Sequence, residues 1–335
     1  MVPVNRRRFL KSGTAVTAAG LTGIAGCLGG DDGIPTLSYH FTVPIENFAS
    51  LLGIPEIQEE LENVGEEYEL TVSNDSSTID SLNAMAAGEC DIAQVTTESY
   101  ANAIMEDAVP QGITKIATDF WDAHDDFYGF TVYSPPGSDL TEPEDMEGAS
   151  LGINAINTGI HATYTRKLMD LGLDPEEDVE YVEQEFGALP AAAEDGIVDA
   201  IVLPPLFAAG VRDEFNAVYT SHEVFDQEYP FAYIAAANRA LEDHEDAIRT
   251  WAEDYVDIID YVEENRDEVV SLAADHFEVP EEQIDAFYLT EHDYYRGVYE
   301  VDFEALQFAM DELEESGITD DSFDVEDHAT NEYLP

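Results

Sequence analysis

A small polar turn, Asn157-Thr158-Gly159, separates two segments of different periodicity. The apolar run 151–156 predicts a buried strand, and the helical spacing of 160–171 predicts a helix that stops at Gly172. A strand, a turn and a helix start direct free backbone N–H groups at one point, where a ligand oxygen or another acceptor can bind. The alternative is that Asn157 or Thr158 only caps the helix.

Other reactive side chains do not form a catalytic or metal-binding pattern. The histidines lack ligand spacing, and His124-Asp125-Asp126 fits a solvated loop better than a metal site. Gly148-Ala149-Ser150-Leu151-Gly152 matches Gly-x-Ser-x-Gly, but a polar stretch precedes the serine and a strand follows it, the reverse of a nucleophile elbow. Cys90 reads as a small buried hydrophobe. We therefore expect no catalytic residue, no metal and no cofactor.

Strand and helix patterns alternate along most of the chain, which predicts an α/β fold with mostly parallel, helix-covered sheets. Ala84 to Ala93 and Ala192 to Ile201 share the spacing of alanine, glycine and aspartate, although any α/β unit can give such a match. With 335 residues the chain suits two lobes. We place lobe 1 at 35–130 and 234–335 and lobe 2 at 131–233, joined by two extended crossings near 127–133 and 228–233.

The N-terminus carries export features. A basic start, Arg6-Arg7-Arg8-Phe9-Leu10-Lys11, precedes a weakly apolar stretch that is too short and glycine-rich to span a bilayer. It resembles the twin-arginine signal, and Ile24-Ala25-Gly26-Cys27 resembles a lipobox. We expect a signal at 1–27, lipidation of Cys27, a flexible tether at 28–34, and a mature protein held by lipid on the outer face of the cell membrane.

The net charge of the chain limits the classes of molecule that it can bind. The chain has 12 basic and 74 acidic residues, net −62, and the acid is spread along the whole length. Since 44% of the residues are hydrophobic, we read a folded protein with a carboxylate-rich surface, as in extreme halophiles, and not a disordered acidic chain. The negative sign excludes nucleic acid as a partner.

Several segments together carry a family resemblance. Three segments are similar to the solute-binding proteins of nitrate, sulfonate and taurine ABC importers, a family that includes binding proteins for the thiamine pyrimidine precursor. The segments are Asp145-Met146-Glu147-Gly148-Ala149-Ser150-Leu151-Gly152-Ile153, the turn Asn157-Thr158-Gly159-Ile160-His161, and Gly88-Glu89-Cys90-Asp91-Ile92-Ala93. The resemblance covers about 37–317. It implies a type 2 periplasmic-binding-protein-like fold, a monomer that closes on a small solute and delivers it to an ABC permease and its ATPase.

The resemblance and the predicted topology together place ligand-binding residues at the cleft between the lobes. These are Tyr39, His40, Thr42, Ser76, Gln94, Thr96, Trp121, Tyr128, Asn157, Thr158, Gly159, His161, Phe186 and Tyr229. Each aromatic residue has ordinary core packing as its alternative.

The solute itself stays open at this point. Anion sites often use arginine, and no arginine falls in a predicted cleft loop, although Arg212 could approach. Helix-start N–H groups can still hold an oxyanion, and the aromatic residues also suit a planar or cationic ligand.

An enzyme of the same fold acting on a pyrimidine or small organic substrate is the alternative function. Asn74-Asp75-Ser76 is a glycosylation sequon that we expect to be unmodified.

Overall fold

In the part of the chain that the computed structural model describes, ten strands form the framework. They are β1 (Thr36–Phe41), β2 (Glu69–Asn74), β3 (Ile92–Thr96), β4 (Ile113–Asp122), β5 (Thr131–Ser134), β6 (Ser150–Ile153), β7 (Glu180–Glu183), β8 (Ala200–Leu203), β9 (Asn216–Thr220) and β10 (Tyr229–Ala237). They form two five-stranded sheets with the orders β2-β1-β3-β10-β4 and β7-β6-β8-β5-β9. This is the α/β two-lobed fold expected from the sequence, and lobe 1 and lobe 2 below denote the first and second sheet with their helices.

The structure describes residues 33–225 and 227–335. Within that part Ile34–Pro335 form one compact unit, and no helix there has the length and apolar character needed to cross a membrane. The predicted signal, the lipidation site Cys27 and most of the predicted tether lie outside the described residues.

Helices cover both sheets. They are α1 (Pro55–Gln58), α2 (Thr78–Ala87), α3 (Thr97–Met105), α4 (Gly159–Asp170), α5 (Leu189–Glu194), α6 (Pro205–Ala208), α7 (Asn238–Asp243), α8 (Glu245–Glu264), α9 (Arg266–Phe277), α10 (Glu281–Asp285) and α11 (Phe303–Glu315). The longest of them, α8, buries one face that includes Trp251, Tyr255 and Ile258. The C-terminal helices cover lobe 1, where α8 packs near the segment after β1 and α11 packs on β10.

The same serine–aspartate hydrogen-bond pattern occurs in both lobes. In lobe 1, Ser38 on β1 donates its backbone N–H and its hydroxyl to Asp91 Oδ2 at 3.0 and 2.7 Å. In lobe 2, Ser150 on β6 donates the same two groups to Asp199 Oδ2 at 2.8 and 2.7 Å. Each aspartate begins the buried strand beside the serine's strand, so the matching Gly and Asp spacing in the sequence reflects equivalent positions in the two sheets.

Two crossings join the sheets, one between β4 and β5 and one between β9 and β10. Asp122, the last residue of β4, ties them together, because its Oδ1 accepts from Phe130 N at 3.2 Å and from Ser221 Oγ at 2.7 Å. Burial raises the pKa of Asp122. Residues 229–233, which we had assigned to lobe 2, belong to β10, which pairs with β3 and β4 in the lobe 1 sheet.

The C-terminal segment packs on the outer edge of the lobe 1 sheet. Lys115 N on β4 donates to His328 O at 2.9 Å, and Thr330 N donates to Lys115 O at 2.9 Å. The segment after 325 therefore extends the sheet and covers the edge of β4.

Candidate functional site

A small cavity of about 30 Å³ lies between the two lobes. Lobe 1 contributes the loop after β1, the start of α2, the end of β3, and β4. Lobe 2 contributes the ends of β6 and β8 and the start of α4. The described residues that line this central cavity are Thr42, Val43, Glu46, Thr78, Gln94, Thr96, Phe120, Phe130, Asn154, Thr158, Gly159, Ile160, Phe186, Pro204 and Phe231.

Three helices of eight or more residues begin at the central cavity: α2, α3 and α4. Their positive dipole ends favour an acceptor or a carboxylate. Part of their donor capacity is already used, since Ser77 Oγ accepts from Asp80 N at 3.2 Å and Ser99 Oγ accepts from Thr96 N at 3.0 Å.

The lobes meet directly at the start of α4. Gly159 N in lobe 2 donates to Thr96 Oγ1 in lobe 1 at 3.0 Å. A Cβ on Gly159 would lie only 2.4 Å from the ring of Phe231. Glycine is therefore required here for the close approach of the two lobes.

Several buried polar atoms on the cavity wall have no hydrogen-bond partner. They are Thr42 Oγ1, Thr78 Oγ1 and Asn154 Oδ1. The neighbouring Gln94 is held by Asp119, to which its Nε2 donates at 2.9 Å, so its Oε1 faces Thr42 N at 3.4 Å. Buried polar groups without partners are costly, so this wall is suited to a solute that completes the hydrogen bonds.

Phenylalanine rings form the apolar part of the wall. The ring centroids of Phe130 and Phe231 are 4.6 Å apart, and those of Phe120 and Phe231 are 5.8 Å apart and stacked. Behind them, Tyr294 stacks on Phe120 at 3.9 Å. Phe186 reaches the cavity from lobe 2 and stacks on Phe207.

One carboxyl, that of Glu46, reaches the cavity wall. Burial raises its pKa from 4.5 to about 8, against the opposing effect of the Arg296 guanidinium. Burial likewise raises the pKa of Asp119, behind Gln94, to about 7. Arg296 itself is committed to Asp293, to which its Nη2 donates at 3.0 Å.

Contacts on the rim also join the lobes. His161 Nδ1 on α4 lies 3.1 Å from Glu98 Oε1 on α3, whose carboxyl is buried and has a raised pKa because of that burial. Arg166 Nη1, one turn further along α4, donates to Glu312 Oε2 on α11 at 2.7 Å. Both pairs can form only when the lobes are together.

Six of the residues predicted for the site line the central cavity. They are Thr42, Gln94, Thr96, Thr158, Gly159 and Phe186. Asn157 and His161 lie instead on an outer groove beside it, together with Glu98 and Tyr181. Asn157 is exposed and adopts φ +64°, which turns the chain into the helix.

The structure does not bring the other predicted residues to the cavity wall. Tyr39 points into the lobe 1 core, where its OH donates to Asn47 Oδ1 and its ring packs on Trp251. Ser76 is exposed, and Thr78, two residues later, takes the wall position. His40 is paired with Asp75, and that aspartate also accepts from Ser81 Oγ.

Aromatic residues near the crossings have structural partners. Trp121 Nε1 donates to Val298 O at 3.0 Å, and Tyr128 OH donates to Leu203 O at 2.6 Å. Tyr229 is buried against Phe225 and lines a second, smaller space behind Gly159. These three side chains lie near the crossings but do not line the central cavity.

Sequence reasoning missed nine described residues of the wall. They are Val43, Glu46, Thr78, Phe120, Phe130, Asn154, Ile160, Pro204 and Phe231. Asn154 ends β6 and precedes the turn before α4, a position that the strand–turn–helix pattern could have indicated. Glu46 had no signal, because it is one of 74 acidic residues.

No described group of three or more histidine, cysteine, aspartate or glutamate side chains is arranged to hold a metal ion. His124, considered from the sequence, lies 3.4 Å from Glu228 and packs against Tyr295.

Comparison with known proteins gives two results. Residues 3–23 match the model of the TAT (twin-arginine translocation) pathway signal sequence, which confirms that part of the N-terminal prediction and directs the chain to export. No curated protein sequence matches the chain.

Solved structures share the fold. The periplasmic aliphatic sulphonate binding protein SsuA from Escherichia coli is similar over 88% of this chain and 91% of its own, at 14% identity and TM-score 0.68. The ligand binding component of an ABC-type import system from Staphylococcus aureus, with zinc bound, covers 89% and 97% at 12% identity and TM-score 0.72. The periplasmic nitrate-binding protein NrtA from Synechocystis PCC 6803 covers 90% and 87% at 11% identity and TM-score 0.71. The chain therefore has a periplasmic-binding-protein-like fold.

Proposed function

We propose that this protein is the extracytoplasmic solute-binding component of an ABC importer. One observation carries the proposal: a small cavity is walled by both lobes, and polar atoms without partners face it from each side, among them Thr42 Oγ1 in lobe 1 and Asn154 Oδ1 in lobe 2. The twin-arginine signal and the folds of the similar structures support it.

Binding is coupled to closure by geometry. A solute that contacts Thr42 and Thr78 in lobe 1 together with Asn154 in lobe 2 binds the closed form better than an open form. Hinge motion at the two crossings would open the cavity, and the Thr96–Gly159 contact would re-form on closing. A permease that recognises the closed arrangement would then receive the solute, and its ATPase would drive import.

We further propose that the mature chain is a monomer held at the outer face of the membrane by lipid on Cys27. The acidic surface is consistent with an environment of high salt, because molar salt screens the repulsion among carboxylates.

Catalysis, the alternative considered from the sequence, has no observation in its favour. Among the described residues of the cavity wall, the hydroxyl groups are those of threonines, and no histidine or cysteine accompanies them.

Closure on a solute tests the proposal. The mature chain in molar KCl is mixed with the small-molecule filtrate of a cell extract, and its radius of gyration is followed by small-angle X-ray scattering. We expect the filtrate to make the protein more compact and to raise its melting temperature without any component being consumed.

Two glycine variants make this test specific to the cavity. In Gly159→Ala the added methyl meets the ring of Phe231, so we expect closure to need at least tenfold more filtrate. Gly187→Ala is the matched control, because its added methyl makes only an ordinary 3.6 Å contact. The proposal is wrong if the wild type shows no compaction, or if both variants close like the wild type.

A further inference from the structure

We propose that the solute is a small organic cation with N–H donors, such as an amidine or a guanidine, and that Glu46 is the residue that selects it. The inference rests on the proposed function, since it assigns the chemistry of the same cavity. It differs from the anions that the similar sulphonate-binding and nitrate-binding proteins are named for.

Glu46 is held at the cavity by its own loop. Ile45 adopts φ +59°, which is unfavourable for a β-branched side chain. Its N–H donates to Ser50 Oγ at 3.0 Å, and Glu46 N donates to Val43 O at 3.3 Å. The chain thus accepts a strained conformation one residue before a buried carboxyl, as is common at ligand sites.

The Glu46 carboxyl has a single donor partner of its own. Tyr294 OH donates to its Oε1 at 3.1 Å, and the residue is 7% exposed. Among the described residues of the cavity wall, Glu46 is the one that ionises. A buried carboxylate is stable only when a cation or further donors pair with it, and a bound cation would supply both.

Two donors that could hold an anion are already engaged. The amide of Gln94 donates to Asp119, and Gly159 N, which could have served an oxyanion, donates to Thr96. What faces the cavity without a partner is the carbonyl oxygen of Asn154 and the hydroxyls of Thr42 and Thr78. All three oxygens can accept hydrogen bonds from a solute, and the two hydroxyls can also donate one.

Arg296, a buried guanidinium that lowers the pKa of Glu46 against the effect of burial, does not line the cavity, and its Nη1 has no hydrogen-bond partner. Arg296 pairs with Asp293, and its guanidinium carbon lies 5.5 Å from the ring centre of Phe120. Phe120 is itself a wall residue, so it contacts both the cavity and the guanidinium. Together with Glu46 and Asp119, the buried cluster contains three carboxyl groups and one guanidinium.

Helix dipoles and the aromatic rings complete the site. The starts of α2, α3 and α4 carry partial positive charge, which would favour an anion on its own. In this cavity the same charge stabilises the Glu46 carboxylate when a cation pairs with it. The rings of Phe120, Phe130 and Phe231 line the cavity and can contact a planar cation.

The test compares cationic with anionic probes. Acetamidinium and methylguanidinium, and nitrate and methanesulfonate, are added to the full mature chain in molar KCl, and binding is measured by calorimetry and by thermal shift. We expect at least one cation to bind the wild type and neither anion to do so.

Variants of Glu46 assign the effect. Glu46→Gln should weaken binding of that cation by at least tenfold, whereas Glu46→Asp, which keeps the charge, should lose less. Glu56→Gln removes an exposed carboxyl of the same lobe and should bind like the wild type. Unchanged thermal melting of Glu46→Asp shows that the fold tolerates substitution at this position.

The outcomes separate this inference from the proposed function. Binding of nitrate or methanesulfonate, or equal cation binding by Glu46→Gln, overturns the inference. If neither cation binds while the filtrate still closes the wild type, the charge assignment is wrong and the solute-binding function stands. If neither probes nor filtrate act, both are wrong.

Discussion

Replacing Glu46 with glutamine should change how the stability of the unliganded protein depends on pH. In the folded protein burial raises the pKa of this carboxyl from 4.5 to about 8. Between those values the folded state binds a proton that the unfolded state does not. Stability therefore falls as pH rises through this window, and the loss is complete above the folded pKa.

The size of the effect follows from the shift. From 4.5 to about 8, at ~1.36 kcal/mol per unit, the carboxyl destabilises the folded state by roughly 5 kcal/mol at alkaline pH. Below the unfolded pKa it has no such effect. Glutamine cannot ionise, so Glu46→Gln should match the wild type near the lower value and become more stable than it as pH rises toward the upper one.

Urea unfolding in molar KCl at a series of pH values measures this difference. Urea is chosen over guanidinium because guanidinium resembles the proposed solute. The control Glu56→Gln removes an exposed carboxyl, so its stability relative to the wild type should stay nearly constant. A constant difference between Glu46→Gln and the wild type across the window would refute the argument that this carboxyl is desolvated.

Two further predictions concern contacts elsewhere. The Glu98–His161 pair joins the lobes at 3.1 Å and its carboxyl is buried. A double-mutant cycle with Glu98→Gln and His161→Asn should therefore show a coupling of about 1–2 kcal/mol in solute-driven closure, measured by scattering. Additive effects would mean that the pair is not a contact of the closed form. Ser77 caps α2 by accepting a hydrogen bond from Asp80 N, so Ser77→Ala should lower the free energy of unfolding by about 1 kcal/mol. The control Ser76→Ala, at the exposed neighbouring residue, should change it by less than about 0.5 kcal/mol. Equal effects of the two substitutions in urea unfolding would contradict the cap assignment.

At Glu46 the carboxyl group is expected to favour binding of the solute and to lower the stability of the unliganded protein. The variant expected to lose the cation is also expected to gain stability in the unliganded state. Such a trade is common where a site keeps a strained or desolvated group for its function. Measuring both properties on one variant would show whether the carboxyl is retained for binding.

Local signals in the sequence predicted most of the elements. The apolar run 151–156 indicated the strand that is β6, and the helix end predicted at Gly172 is observed, because α4 ends at Asp170 and Gly172 has φ +79°. The repeated Gly and Asp spacing was informative because Asp91 and Asp199 make the same bonds to serines in the two sheets. These features depend on residues that are close together in the sequence, so they can be predicted from the sequence.

Side-chain direction at the strand ends was harder to predict. A strand turns successive side chains to opposite faces, so a shift of one residue exchanges wall and core. Tyr39 consequently points into the core, whereas Thr42, beyond the strand end, reaches the cavity. Beyond β2 the turn leaves Ser76 exposed and brings Thr78, the first residue of α2, to the cavity.

By itself the sequence determined the alternation of strands and helices, the repeat that predicts two lobes, the export signal and the turn before α4. Only the tertiary structure decided which polar atoms meet in the cavity. The charge of the site belongs to that second group, because 74 carboxyl groups look alike in a sequence. Glu46 differs from an exposed acid by its burial between the lobes, and burial is a property of the packed molecule.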